Sequence, residues 1–278
     1  MSSQRDKAAR FAQLHTRAGA FIIPNPWDVG TARLLEHLGF EALATTSAGY
    51  AFSVGRVDNT VGRDETLAHA AALAGATRVP LSADLENGFG DAPEMVAETI
   101  RLAAAAGIVG GSIEDLSRSR DRALYDVEHA AERVRAAAET ARSLSFRFTL
   151  TARAENFIAG KPDLRDTIER LQAYQAAGAD ALFAPGLRSA DEIATVVRSV
   201  DAPVNVVMGL QGARLSVAEL TRLGVKRISV GSALARAALG AFLRGAREMR
   251  DDGTFAFAED AVSYQEITRM FVMAPEEG

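Results

Sequence analysis

Short β-branched or apolar runs recur along the whole chain, separated by stretches whose apolar residues repeat with helical period. The runs predict eight strands, at residues 21–24, 42–46, 80–84, 109–114, 148–153, 181–184, 204–207 and 227–230. Between them, residues 67–74, 95–104, 130–141 and 164–176 are rich in strong helix formers. Four helix-to-strand joints are built alike: HLGFEALATTS, AAGIVGGSIED, AAGADALFAPG and RLGVKRISVGS each place a glycine where a helix stops. Glycine accepts the left-handed conformation of a helix C′ position, which suits it to these joints. Strands and helices alternating at about 30-residue spacing specify parallel βαβ units, and eight such units close into a barrel. The rival, a doubly wound sheet, expects a glycine-rich dinucleotide loop after its first strand; Pro24, Asn25 and Pro26 stand there instead. The expected fold is α/β, a (β/α)8 TIM barrel formed by residues 1–278 as one domain.

Composition narrows the class further. The 278 residues match the about 250 typical of one such barrel. With 48% apolar and 24% charged residues, the chain has the make-up of a soluble globular protein. A net charge of −5 gives no basic field, so no nucleic-acid partner is expected. The absence of cysteine removes disulfides, thiolate catalysis and Cys-ligated zinc together. The N-terminal MSSQRDKAARFAQLH has no apolar signal core, and no run approaches the ~20 apolar residues that span a bilayer. A cytoplasmic enzyme without a membrane partner is the expectation.

The chemistry collects at the predicted strand ends, the face where closed α/β barrels build their active sites. In chain order these ends carry Asn25, Ser47, Asp84 with Glu86, Glu114 with Asp115, Arg153 with Glu155, Pro185, Asn205 and Ser232. Asp28, ahead of a helix at 29–37, reads as an N-cap. Asp84 and Glu86 are two apart and should share a face, with Glu114 ending the neighbouring strand. Carboxylates without histidine or cysteine among them make a hard, all-oxygen site suited to Mg2+ or Mn2+. The competing reading is a solvated acidic rim tied down by Arg153. All four histidines (His15, His37, His69, His129) fall in helical stretches and read as exposed or packing residues. None of Lys7, Lys161 and Lys226 is placed as a Schiff-base lysine, which disfavours a covalent aldolase. Arg153 supplies a cationic fork for a carboxylate or oxyanion. Ser47, Ala48 and Gly49 could present backbone N–H groups to an anionic oxygen, and Gly231-Ser232, like a barrel phosphate site, reads more readily as close packing.

The segments NPWDVGTARLLEHLGFEALATTS, SADLENGFGD, GGSIEDLSRS, TARAENFIAG and GADALFAPG, in this order, resemble the isocitrate lyase/phosphoenolpyruvate mutase superfamily over nearly the whole chain. The resemblance implies a (β/α)8 barrel, Mg2+, and a substrate with a pyruvyl-like 2-oxo acid unit reacting through an enolate. By position, Asp84 is similar to the direct metal ligand, and Glu86 replaces the second aspartate of a D-x-D pattern. Glu114 is similar to another member of the metal shell. Asp58 in GRVDNT resembles a catalytic aspartate after the second strand. Ser47, Ala48, Gly49 and Asn205 fall in the substrate pocket, and Arg153 resembles the substrate-binding arginine. The departures are specific. LSRSRDRALYD replaces the K-K-C-G-H type loop of the lyases, the lysine and asparagine of the mutase loop are missing, and Ala184-Pro185 stands where those branches place glutamate or histidine. Tyr125, Arg118, Arg120 and Arg122 are the candidates for the missing general acid, against a reading as a plain solvated connection.

Three functions follow. The first is a Mg2+-dependent lyase or decarboxylase acting on a small 2-oxo or 2-hydroxy carboxylic acid. The second is a phosphonate or carboxyphosphonate mutase or hydrolase, to which RAENFIAG is similar. The third is a barrel that binds a 2-oxo acid without turnover. Beyond the barrel, Phe257, Ala261, Tyr264, Ile267 and Phe271 form a helical stripe, predicting a helix at about 257–272. The family packs such a helix on a neighbouring subunit, which implies a homodimer or homotetramer.

Overall fold

Each of the eight expected strands forms, most of them a residue shorter than its apolar run, in a computed structural model that describes residues 2–119, 123–210, 212 and 214–272. Helix α1 (Gln4–Thr16) precedes β1 (Phe21–Ile23), followed by α2 (Val29–His37) and β2 (Leu43–Ala44). Next come α3 (Ser47–Ser53), α4 (Arg63–Ala76), β3 (Leu81–Asp84), α5 (Pro93–Ala105) and β4 (Gly110–Glu114). The second half runs α6 (Val127–Ser143), β5 (Thr149–Arg153), α7 (Leu164–Ala176), β6 (Ala181–Phe183), α8 (Ala190–Arg198) and β7 (Val204–Val207). It continues through α9 (Val217–Arg222), β8 (Arg227–Ser229) and α10 (Ala233–Asp251). The strands are all parallel, in the order β1–β8–β7–β6–β5–β4–β3–β2, so the sheet curls into a (β/α)8 barrel. Gly39, Gly107, Gly178 and Gly224, at the four repeated joints, all have positive φ.

The seam between β1 and β2 is held outside the regular ladder. Ala44 donates its amide to Pro24 O (3.1 Å), and Asn25 Nδ2 donates to Thr45 O (2.9 Å). Asn25 Oδ1 accepts from the amides of Val230 and Gly231, both at 2.9 Å, beyond β8. One buried asparagine thus joins three strand ends. Asp28 caps α2 as expected, accepting from the Thr31 amide at 2.7 Å.

Two cores with opposite character follow from strand alternation. Ala83, Ile113, Leu150, Leu182, Val206 and Ile228 face outward and pack under helix residues such as Ile100, Val134 and Leu171. The inward positions include Ser82, Ser112, Thr151, Asn205, Arg227 and Ser229, where barrels of this type usually stack branched apolar side chains. Small polar groups there leave a cavity of about 220 Å³ inside the barrel. Helix α1 closes the opposite mouth: Ala8, Phe11, Leu14 and His15 form its buried stripe, and Phe11 comes so close that a Cβ on Gly110 would sit 2.7 Å from its ring.

The C-terminal stripe is divided between two elements rather than lying on one helix. A 3-10 turn (Ala256–Asp260) is capped by Glu248, which accepts from the amides of Ala256 (2.5 Å) and Phe257 (3.0 Å). Ser263 then starts α11 (Tyr264–Val272), its hydroxyl accepting from Glu266 N. These two caps compete with a continuous helix and win. Phe257 turns onto Gly245 of α10, while Phe271 lies under Arg33 of α2.

Candidate active site

Arg153 ends β5, and its guanidinium fills the space between carboxylates from three directions. Nη1 donates to Asp84 Oδ1 (2.9 Å), Nη2 lies 3.2 Å from Glu114 Oε2, and Nε donates to Glu155 Oε1 (2.9 Å). Register produces this: β3 and β5 flank β4, and Glu114 is paired directly with Arg153. Burial pushes the Glu114 and Glu155 carboxyls above their ordinary range, with Arg153 pulling against it. Burial alone would lower the pKa of Arg153, but Glu155, Glu114 and Asp84 raise it well above the usual arginine value. The guanidinium is a permanent charge.

Around this centre the backbone is shaped to hold more negative charge. Asp84 receives the Ser47 amide on Oδ2 (3.3 Å) and donates its own amide to Thr45 Oγ1 (2.8 Å). Glu86 lies past the end of β3 with φ +48, so the two-residue alternation with Asp84 is broken by a left-handed residue. Such conformations are strained for residues other than glycine and gather at functional sites. The Glu86 side chain is 2% exposed; Arg118 Nε stands 3.2 Å away, yet among the described residues neither carboxylate oxygen accepts a hydrogen bond. Burial, then Asp84, pushes its carboxyl up to about 7. Burial and then Asp84 also raise Asp58, which borders the cavity and is hydrogen-bonded by the Ser47 side chain.

Two networks brace these groups from behind. Arg133 donates to the carbonyls of Glu114 (3.2 Å), Gly90 (2.9 Å) and Asn87. Asp115, pointing away from the cavity, accepts from Glu155 N (2.8 Å), Arg170 Nη1 (3.1 Å) and the Tyr174 hydroxyl (2.5 Å). Buried polar networks fix geometry, and these two fix the loops after β3, β4 and β5, although Arg133 Nε itself has no acceptor among the described residues.

Below Arg153 the cavity floor is built on Arg227. Its Nε donates to Asn205 Oδ1 (2.9 Å), Nη2 to Thr151 Oγ1 (2.9 Å), and Nη1 lies 3.4 Å from His15 Nε2. His15 Nδ1 faces Phe11 O at 2.8 Å, so the neutral ring donates there and accepts from Arg227. Burial, then the charge of Arg227, pushes His15 down to about 3. Burial lowers Arg227 itself to about 10.

The structure brings Ser47, Ala48, Asp58, Asp84, Arg153 and Asn205 to one cavity. Asn205 is not at a strand end: it is the second residue of β7, one layer deeper, and bound by Arg227. Gly49 does not border the cavity; its amide donates to Thr46 Oγ1 to cap α3, and Thr46 and Trp27 crowd the place a Cβ would occupy. Glu114 and Glu86 meet the cluster through Arg153 and Arg118. Tyr125 is turned aside, donating to Asp91 Oδ1 (2.5 Å) and accepting from Asn87 Nδ2 (3.0 Å). Arg118 reaches across to the carbonyls of Asn59 (2.6 Å) and Val61 (2.9 Å), tying its loop to the segment that carries Asp58. Arg120 and Arg122 lie outside the described residues. Sequence reasoning missed Arg227; its alternation with Ile228 and Ser229 was the signal that it faces inward.

The donor set suits a hard cation. Five carboxyl groups (Asp58, Asp84, Glu86, Glu114, Glu155) stand against the guanidiniums of Arg153 and Arg118, and among the described residues the buried oxygens of Glu86 accept no hydrogen bond beyond the ion pair with Arg118. Among the described residues no three acidic or imidazole groups converge to enclose an ion by themselves. Water or substrate oxygens would complete the shell, as is usual for Mg2+.

A parallel barrel with its charged groups gathered at the strand C-termini defines a barrel enzyme. The chain belongs to the phosphoenolpyruvate phosphomutase family, whose model matches residues 11–250, within the isocitrate lyase/phosphoenolpyruvate mutase superfamily. A crystal structure of a candidate lyase/mutase from Burkholderia cenocepacia is 63% identical, with a TM-score of 0.95 over 98% of this chain and 97% of that one. A 2-methylisocitrate lyase from Halalkalibacterium halodurans is 29% identical over 261 residues, 91% of this chain and 85% of that protein. An oxaloacetate decarboxylase from Chromohalobacter salexigens is 29% identical over 258 residues, 90% of this chain and 87% of that protein. The chain is accordingly an enzyme of this lyase and mutase group. Among the described residues no helix is long and apolar enough to cross a membrane.

The neutral His15 gives the fold a measurable acid sensitivity. Its folded pKa is below the ordinary 6.5, so the unfolded chain binds the extra proton first. The contribution to stability is complete above pH 6.5 and is lost as pH falls toward 3. From pH 7 to pH 5 wild type should lose about 2 kcal/mol more than His15→Gln. Denaturant unfolding at the two pH values measures this, and equal losses would contradict it.

Proposed function

We propose that the chain is a Mg2+-dependent lyase or decarboxylase acting on a small 2-oxo or 2-hydroxy carboxylic acid. The observation that carries this reading is the strand-end cluster, in which Arg153 is flanked by three carboxylates and, among the described residues, the buried Glu86 oxygens accept no hydrogen bond. Asp84, with Glu86 and Glu114 behind it, would hold the divalent ion, Mg2+ or Mn2+. When bound, the ion supplies Lewis-acid stabilisation of an enolate oxygen, worth several kcal/mol.

The chain's own residues do the rest. Breaking the bond between C3 and C4 of a 2-oxo acid releases the C4 fragment as CO2 or a carbonyl compound and leaves the electron pair on C3 as an enolate, which must then gain a proton there. Arg153 orients the carboxylate of the acid with its planar fork. Ser47 and Ala48, at the first turn of α3, line the same wall. Asp58 borders the same cavity, where burial and then Asp84 raise its carboxyl above the ordinary range, so it is the group placed to exchange a proton there. The named activities of the 2-methylisocitrate lyase and oxaloacetate decarboxylase relatives agree with this reaction class. Turnover of a panel of 2-oxo and 2-hydroxy acids, with and without Mg2+, tests it.

Arg153→Lys separates a substrate clamp from a simple counter-charge. Lysine keeps the charge and loses the fork. With Mg2+ saturating, the variant should bind oxalate, a mimic of the pyruvate enolate, one to two decades more weakly, as expected for losing about 1.5–3 kcal/mol of charge-assisted bonding. Calorimetry measures it; affinity within twofold of wild type would remove Arg153 from substrate binding.

The enzyme is further proposed to be a homodimer or homotetramer. Helix α10 buries only Ala235 and Gly245, and it exposes Leu239, Phe242 (69%) and Leu243; Phe255 and Tyr264, further along the chain, are exposed as well. Apolar area of this extent normally marks an interface. Light scattering at micromolar concentration should give a multiple of 29.5 kDa. A monomeric mass would overturn the proposal.

A further inference from the structure

The floor of the cavity contains a charge that the proposed chemistry does not use. Arg227 is 5% exposed, and its partners are Asn205, Thr151 and His15, all of them neutral. No carboxylate among the described residues pairs with it, whereas Arg153, two residues above Thr151 on β5, is paired with three. A buried cation without an anion is costly to fold around. An apolar side chain in this layer would fill a barrel interior at lower cost.

The hydrogen-bond directions show where the charge is aimed. Guanidinium nitrogens only donate, so Asn205 must turn Oδ1 toward Arg227. That orientation sends Asn205 Nδ2 to Ser229 Oγ, 3.0 Å away. The Ser229 oxygen is thereby an acceptor, and its own proton is left for another partner. Among the described residues Ser229 Oγ donates to no acceptor, and Ser229 lines the cavity, as Asn205 does. A chain that begins at a cation and runs donor to acceptor polarises each link in turn. Its last member is a hydroxyl constrained to donate into the cavity.

We propose that the Ser229 hydroxyl is an oxyanion donor in the cavity floor, with Arg227, acting through Asn205, as the positioning residue that fixes its polarity. Its ligand is an anionic oxygen of the bound acid, a carboxylate or enolate oxygen, reached from below while Arg153 holds the acid from the side. This rests on the carboxylic-acid reading above and adds a residue set to it.

Oxalate affinity at saturating Mg2+, measured by calorimetry on Ser229→Ala, Arg227→Met and the double variant, tests the proposal, with melting temperature recorded for each. Ser229→Ala should raise Kd about 10-fold, the loss of one hydrogen bond to a charged group. Arg227→Met should raise it by a similar factor, and the double variant should be no weaker than Arg227→Met alone, because both remove the same link. Ser229→Ala within twofold of wild type overturns the proposal. So do fully multiplicative effects, or a change in melting temperature with Kd unmoved, which is the mark of a purely structural arginine. If Arg227→Met does not fold, Arg227→Lys replaces it: the charge without the fork should raise Kd several-fold on the wild-type background and not on Ser229→Ala. Absence of that pattern overturns the proposal equally. Wild type that ignores oxalate would end both this inference and the carboxylic-acid reading, whereas wild-type binding with an indifferent Ser229→Ala would end this inference alone.

Discussion

The contact of Arg153 with Asp84, Glu114 and Glu155 is the interaction on which the functional end of this barrel depends. Adjacent strands ending in carboxylates would repel one another and draw in water or protons. A planar, permanently charged fork is the side chain that can touch three carboxylates at once, and its position at the end of β5 is fixed by the ladder register with β4. Removing one member of such a buried cluster leaves the others uncompensated, so the group acts as a unit. The braces behind it, Arg133 on the carbonyls of the β3 and β4 loops and Asp115 on the β5 loop, keep the strand ends at the spacing this contact requires.

A second constraint separates stability from function. The apolar core lies outside the sheet, between strands and helices, where Leu150, Leu182 and Ile228 pack. The barrel interior is thereby released from the task of holding the fold and carries serines, threonines, an asparagine and an arginine. Closure at the far mouth by α1, with Phe11 against Gly110 and His15 against Arg227, keeps water from that end of the polar interior.

The sequence made the architecture legible because each strand is apolar on its outer face and each joint is marked, four of them by a left-handed glycine. Asp84, Glu114 and Arg153 were legible for the same reason: they are the last residues of their strands. Other features depend on tertiary context. Asn205 is in an apolar run whose inward and outward positions only the register with Arg227 distinguishes. Gly49 follows a strand, but the Thr46 hydroxyl recruits its amide to start a helix. Glu86 looked like a continuation of β3 and instead turns through a left-handed conformation. The packing role of α1 was hidden because its stripe of Ala8, Phe11, Leu14 and His15 is set among charges, and the value of His15 as an acceptor for a buried arginine appears only when β8 is beside it.

The strand-end cluster is short of positive charge, and the proposal is that a divalent cation completes it. A ligand that binds only the folded state stabilises it in proportion to the logarithm of its concentration over Kd. Thermal unfolding of the wild-type enzyme in millimolar Mg2+ or Mn2+, compared with the same protein in chelator, reads this directly without a substrate. The melting temperature should be several degrees higher with the divalent ion and rise further as its concentration increases. An identical melting temperature in chelator and in both ions would contradict it, and would leave Arg153 as the tie of a solvated acidic rim.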